Sequence, residues 1–169
     1  MTDPRFAGGP AVLDRLYGEG YFHGAGSGYS VEGYEHDHAD WMPWLAWTQP
    51  RVGPAPRWLD LGCAYGYLIE QGVARGVEAY GADISSYALR RHPPARGRLI
   101  QSLADPLPFL EARFDVVSVF DLLEHLDDPE AALREIGRVL KPGGFLLMTT
   151  PDPLYFHRRE PTHVHERPP

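Results

Sequence analysis

The pattern of hydrophobic and polar positions divides the chain into two parts. From residue 57 onward, short apolar runs predict β-strands near 57–61, 77–83, 97–101, 114–119 and 144–150. The segments between them predict helices near 66–75, 85–91 and 129–140. Nearly continuous apolar strands that alternate with helices favour an α/β fold, with a doubly wound, mostly parallel sheet covered on both faces.

Two of the predicted helices have clear start signals. Ser85 can cap the helix that follows Asp83. Asp128, Pro129 and Glu130 supply a cap, a first-turn proline and a first-turn acid for the last helix.

The amino-terminal stretch is rich in glycine and aromatic residues and shows little strand pattern. It predicts helices over 11–17 and 35–47, separated by a loop from Gly18 to Gly33. Prolines and glycines from Pro50 to Pro56 close it. We therefore predict an amino-terminal helical segment over 1–54, an α/β core over 55–151 and a further segment over 152–169.

Composition narrows the classes of protein that fit. The chain has 169 residues, 43% of them hydrophobic, which suits one domain with a real core. A net charge of −7 argues against nucleic acid as the main partner. A single cysteine excludes an internal disulfide, and neither a signal region nor a membrane-length apolar run is present. These features predict a cytoplasmic protein without a membrane partner and leave the oligomeric state open.

The richest candidate chemistry follows the first two strands of the core. A glycine turn containing Gly62 and Gly66 follows the first strand and lets a ligand approach the backbone. Asp83 ends the second strand, at the separation typical of an acid that holds ribose hydroxyls in a nucleotide-binding sheet. The sequence therefore predicts a nucleotide-type ligand at this edge of the sheet.

Three later motifs complete a family pattern: Leu107-Pro108-Phe109, then Phe114–Val117 leading to Asp121–Leu126, and Arg138–Gly144. With the glycine loop and Asp83, the region over about 55–151 resembles the class I S-adenosylmethionine-dependent methyltransferases of the small-molecule type. The resemblance implies a Rossmann-like fold, S-adenosylmethionine as cofactor, and methyl transfer to an oxygen or nitrogen of a small-molecule acceptor. The family sheet has seven strands, so with five predicted here we expect its carboxyl-terminal strands to be missing.

Two other functions stay open. A non-catalytic or truncated S-adenosylmethionine-binding module would bind cofactor without turnover. A nicotinamide-dependent oxidoreductase would also use an acid at the position of Asp83. It would favour glycine where Tyr67 stands, however, and it does not account for the motif Lys141–Gly144.

The resemblance also implies a set of cofactor-binding residues. They are Asp60, Gly62, Cys63, Ala64, Gly66, Tyr67, Asp83, Ile84, Leu103, Ala104 and Phe120 in the core, and Tyr21 and Tyr29 in the amino-terminal segment. Asp60 is expected beside the amino group and sulfonium, and Ile84 on the adenine ring. Leu103 stands where the family commonly has an acid, for which Asp105 is the nearest substitute. Tyr21, Phe22 and Tyr29 are expected to belong to a lid over the cofactor.

His125 is the candidate catalytic residue, because methyl transfer to a hydroxyl releases a proton that a histidine can accept. A purely structural role for His125 stays equally open. No metal site is predicted, since the histidines at 36, 38, 157, 163 and 165 lack the spacing of a zinc site.

Overall fold

The computed structural model describes residues 9–23, 42–91 and 98–150. Five strands form one parallel sheet in the order β3-β2-β1-β4-β5. The strands are β1 Arg57–Leu61, β2 Glu78–Asp83, β3 Leu99–Gln101, β4 Phe114–Phe120 and β5 Leu140–Thr149. The predicted α/β fold with its parallel sheet is confirmed.

Helices pack against this sheet; the first three precede it in the chain and the others lie between its strands. They are α1 Pro10–Leu16, α2 Glu19–His23, α3 Met42–Val52, α4 Tyr67–Val73, α5 Ser86–Arg91 and α6 Pro129–Val139, with a 3-10 helix over Leu123–His125. Both predicted caps form: Asp128 Oδ1 accepts from Ala131 N at 2.9 Å, and Ser85 Oγ accepts from Ala88 N at 3.1 Å. No helix in these ranges is long and apolar enough to cross a membrane.

Burial on both faces of the sheet explains why the central strands are nearly continuous apolar runs in the sequence. Trp58 and Val116 pack with Ile69 on one face of the sheet. Leu59 and Val117, both fully buried, belong to a second cluster on the other face. Because β1 and β4 are covered on both faces, they show no polar alternation.

Three elements differ from the predictions by more than two residues. Glu19–His23 forms a helix inside the predicted loop, because Phe22 is buried against Tyr65 and this tertiary contact outweighs the local glycines. The third helix continues through Pro50 to Val52. Finally, β5 begins at Leu140 instead of residue 144, since Leu140 pairs with Phe114 before an irregularity in the ladder.

Candidate active site

A cavity of about 660 Å³ lies at the carboxyl ends of the central strands, a size typical of small-molecule sites. It opens between β1 and β4, where the strand order reverses and ligands of such sheets bind. Strand ends form what we call the floor: Leu61, Gly62, Ala64, Ala82, Asp83, Phe120 and Asp121. Helices α1, α2 and α3 supply what we call the wall: Leu13, Tyr17, Tyr21, Phe22 and Trp44.

The turn after β1 brings backbone to the floor. Gly62 has φ +80°, and the amides of Gly62 and Cys63 both donate to the Ala82 carbonyl, at 2.8 and 3.2 Å. Gly66, also at φ +80°, precedes α4. Ala64 has φ +45°, a left-handed conformation that L-residues adopt at a cost of roughly 1–2 kcal/mol.

Asp83 is tied to this turn. Its Oδ2 accepts from Ala64 N at 2.8 Å and its Oδ1 accepts from Ser85 N at 2.7 Å. Burial raises the pKa of the Asp83 carboxyl, while these backbone hydrogen bonds lower it. A carboxylate has about four lone-pair positions, so two bonds leave acceptor capacity for ligand hydroxyls.

Asp60 lies beneath the floor, outside the described lining of the cavity. It is 6% exposed, and its Oδ1 accepts a 2.6 Å hydrogen bond from Ser118 Oγ, which in turn accepts from Trp58 Nε1 at 2.8 Å. Burial raises the pKa of Asp60 to about 7, with the charge of Asp83 adding to the shift and the Ser118 bond opposing it. The structure thus places this carboxyl in a hydrogen-bonded chain inside the sheet.

The loop after β3 closes one side of the cavity. Ser102 N donates to the Asp83 carbonyl and Gln101 Nε2 donates to the Ile84 carbonyl, both at 2.9 Å. These bonds hold the lining residues Ile84, Ser102, Leu103, Ala104 and Asp105 next to Asp83.

Helix α6 holds the same loop through the side chains of Glu135 and Arg138. Glu135 Oε2 accepts from Leu107 N at 2.7 Å, and Arg138 donates to the carbonyls of Leu107 and Phe109. Arg138 and the Leu107 amide lower the pKa of Glu135 to about 2. The Glu135 carboxylate therefore stays ionised down to strongly acid pH.

The wall is attached to the sheet by side-chain hydrogen bonds. Asp14 accepts from Ser86 N at 2.7 Å and from Ser86 Oγ at 3.0 Å, so α1 caps the start of α5. Ser85 Oγ donates to the Tyr17 carbonyl. The rings of Tyr17 and Tyr21 then meet edge to face at 5.0 Å between centroids.

His125 lies in the 3-10 helix after β4 and lines the cavity. Its ring meets the Tyr17 ring edge on, with centroids 5.9 Å apart, and its amide donates to the Leu122 carbonyl at 2.9 Å. The half-buried imidazole is therefore held between floor and wall, within the cavity that a ligand would enter.

The predicted site residues fall into three groups. Those that line the cavity are Tyr21, Gly62, Ala64, Asp83, Ile84, Leu103, Ala104, Phe120 and His125. Those that lie outside the described lining are Asp60, Cys63, Gly66 and Tyr67. Tyr29 falls outside the described residues, as do the histidines at 36, 38, 157, 163 and 165.

The residues outside the lining have other contacts. The Cys63 side chain fills the space beside Gly81, where an added Cβ would lie 2.6 Å from its Sγ. Gly66 is the residue before α4, and the Tyr67 ring contacts Tyr65 with centroids 6.0 Å apart. These positions shape the turn that forms the floor.

The set of site residues predicted from sequence does not include Trp44 and Asp121, which line the cavity. Trp44, at helical spacing from Trp47, suggested packing against the sheet, and its ring does contact Phe120 with centroids 5.9 Å apart. Asp121 directly follows a buried strand at the same edge as Asp83, a placement that points to the site.

A family model described as a methyltransferase domain matches residues 59–148, more than half of the chain. This chain belongs to the family of class I S-adenosylmethionine-dependent methyltransferases. The matched region contains the whole floor and the 3-10 helix with His125, whereas the wall lies before it.

Curated proteins and solved structures agree with this membership. The chain is 37% identical over 102 residues to a ubiquinone biosynthesis O-methyltransferase of Idiomarina loihiensis, covering 54% of this chain and 41% of that protein. An S-adenosylmethionine-dependent methyltransferase from Mesorhizobium loti superposes with a TM-score of 0.59 at 28% identity, covering 70% of this chain and 57% of that one. The [4+2]-cyclase SpnF superposes with a TM-score of 0.55 at 26% identity, covering 64% of this chain and 44% of that one.

The chain spans less than half the length of the curated relatives it matches, for example 41% and 48% of the proteins from Idiomarina loihiensis and Bordetella pertussis.

Proposed function

We propose that this protein binds S-adenosylmethionine in the cavity above β1 and β4 and transfers its methyl group to an oxygen of a small-molecule acceptor. The observation that carries the proposal is one cavity in which the glycine turn and Asp83 lie on one side and His125 on the other. The O-methyltransferase names of the curated relatives favour oxygen over nitrogen as the methylated atom.

The donor set of the cavity fits this cofactor. Asp83 keeps acceptor capacity for two ribose hydroxyls after its bonds to Ala64 and Ser85. Ile84, Leu103 and Ala104 offer an apolar surface to a flat base. Gly62 lines the cavity without a side chain, and Leu122 Cδ2 lies 3.3 Å from where its Cβ would be, so glycine fits this turn beside the cofactor.

When bound, the cofactor supplies an electrophilic methyl group on a sulfonium. The residues of the protein then have three tasks. Asp83 orients the ribose, and the aromatic wall of Tyr17, Tyr21 and Trp44 excludes water and positions the acceptor. His125 accepts the proton that the acceptor hydroxyl loses, since histidine changes its charge near neutral pH.

The domain organisation proposed from sequence fits the same scheme. Residues 55–151 are the cofactor-binding core, residues 1–54 supply the wall and a lid that includes Tyr21 and Phe22, and residues 152–169 begin the acceptor side. The burial of Phe22 against Tyr65, whose centroid lies 5.0 Å away, supports a covering role for α2.

Isothermal titration calorimetry tests the cofactor assignment. We expect binding of S-adenosylmethionine and S-adenosylhomocysteine and none of NAD. Asp83→Ala should cost about 2–3 kcal/mol in affinity, the scale for hydrogen bonds to a charged group. An acceptor screen with small phenols and alcohols then tests transfer. Tight binding of NAD, or no heat with either sulfur ligand, contradicts the proposal.

Cofactor binding without methyl transfer is the second candidate. It is favoured by the short span of the chain relative to its curated relatives and by the superposition with a cyclase. It predicts normal calorimetry and no methylated product with any acceptor, at wild-type and longer chain lengths alike.

A further inference from the structure

The amino-acid half of S-adenosylmethionine carries an ammonium group that needs a negative partner. Asp60, the expected partner, is 6% exposed and bonded to Ser118 beneath the floor. Asp60 also lies outside the described lining of the cavity, so an acid that lines the cavity is better placed to meet the ammonium.

We propose that Asp121 is the carboxylate that binds the ammonium group of the cofactor. This inference rests on the proposed function, because it assumes that Asp83 holds the ribose. Asp121 follows the last residue of β4, lines the cavity and is exposed.

The register of the sheet places Asp121 beside the glycine turn. Leu61 of β1 pairs with Val119 of β4, so the chain leaves both strands at neighbouring points. Leu122 contacts the turn, since a Cβ at Gly62 would lie 3.3 Å from Leu122 Cδ2. A ligand seated on Gly62 therefore passes the strand end that carries Asp121.

Asp121 is held in an unusual conformation. Its φ is +49°, its amide donates to the Thr149 carbonyl at 3.1 Å, and its Oδ1 accepts from Thr149 Oγ1 at 3.1 Å. Aspartate adopts left-handed backbone more readily than most residues, and such conformations cluster at binding sites. The bond to Thr149 fixes the carboxylate and leaves further lone pairs for a donor.

The other acids of the described lining are less suited. Asp105 follows β3, three strand positions from β4, which is about 14 Å at the usual spacing of neighbouring strands. Asp128 already caps α6 and lies 3.8 Å from Arg134. Asp127 comes two residues after the 3-10 helix, so it does not lie at the end of β4 as Asp121 does.

Three ligands and three substitutions test the proposal by calorimetry. S-adenosylmethionine and S-adenosylhomocysteine carry the ammonium, whereas 5′-methylthioadenosine keeps the adenosine and sulfur and lacks the amino-acid half. Asp121→Asn preserves shape, tolerance of positive φ and the acceptor for Thr149, and removes only the charge. We expect it to weaken both ammonium ligands by about ten- to a hundredfold, the range for a hydrogen bond to a charged group, and to leave 5′-methylthioadenosine within about threefold.

The comparison variant Asp60→Asn should change all three affinities by less than about threefold, because its side chain does not reach the cavity. Glu130→Gln removes the same charge from an exposed helix position, 86% accessible, and controls for net charge. Equal weakening of all three ligands by Asp121→Asn, or no weakening of any, overturns the proposal. Failure of the wild-type protein to bind any of the three contradicts instead the proposed function.

Discussion

The floor and the wall of the cavity are built by different means. Backbone hydrogen bonds between parallel strands hold the floor, and its carboxylate Asp83 is fixed by two amides. The wall depends on a few side-chain bonds, chiefly those of Asp14 and Ser85, and on aromatic contacts. Substitutions in the packing beneath the floor should therefore act mainly through stability, whereas loosening the wall should lower stability and ligand affinity together.

The largest expected effect lies beneath the floor, at Asp60. Its pKa in the folded protein, about 7, exceeds the ordinary value of 3.8, so the stability it contributes is fully present below pH 4 and is lost as pH rises through 7. Relative to wild type, Asp60→Asn should gain up to about 4 kcal/mol between pH 4 and pH 8. Urea unfolding of both proteins at both pH values measures this gain. A constant difference across that range would show that Asp60 ionises normally in the fold.

A steric substitution tests the floor next. The Cβ of Gly81→Ala would lie 2.6 Å from Cys63 Sγ and 2.8 Å from Leu99 Cδ2. We expect a loss of about 2–3 kcal/mol in the free energy of unfolding, as for other overpacked cores. Gly137→Ala, on an open helix surface with no atom within 4 Å, should instead stabilise by roughly 0.5–1 kcal/mol. Adding Cys63→Ala to Gly81→Ala should recover part of the loss, and no recovery would mean that the Cys63 contact is not its source.

The wall has its own test at Asp14. Asp14→Ala removes both bonds to Ser86 and should cost about 1–2 kcal/mol of stability, the scale of a lost helix cap. Cofactor affinity should fall with it, because Tyr17 and Tyr21 lose their anchor. Asp14→Asn keeps an acceptor for the Ser86 amide and is the matched control with a smaller effect. Chemical denaturation and calorimetry on the same samples separate the two quantities, and unchanged affinity in Asp14→Ala would show that the wall does not depend on this bond.

The smallest effect is expected at Ala64. Glycine at this position relieves the strain of φ +45° and should stabilise the protein by about 0.5–1 kcal/mol while keeping the amide that bonds Asp83. Ala112→Gly, at φ +49° in a turn outside the described cavity lining, should give a similar gain. Thermal unfolding measures both, and a loss of stability in Ala64→Gly would mean that the turn uses the alanine side chain.

The sequence allowed prediction of the sheet and of most of the floor, because strand patterns and glycine turns are local signals. The sequence predicts Asp60 in the ligand site because this residue lies near the end of β1. The missed signal was its register partner: Asp60 and Ser118 are polar residues facing each other in apolar strands, a pairing that favours a buried hydrogen bond.

The wall was harder to predict, because its contacts join residues far apart in the chain. The glycines at 18 and 20 predict a loop. A helix forms instead because Phe22 packs against Tyr65, which lies 43 positions later in the sequence. Trp44 has the helical spacing of a packing residue, and only the assembled fold shows that it also faces the cavity.

The bond between the Ala64 amide and the Asp83 carboxylate joins the turn after β1 to the end of β2 in a single unit. A ligand that lands on it meets partners already ordered, so little conformational entropy is lost on this side of the cavity. The entropic cost of association should therefore fall on the aromatic side, where rings must settle around the bound molecule. Ligands that reach only the turn and Asp83 would associate with less of this penalty than ligands that also order the rings.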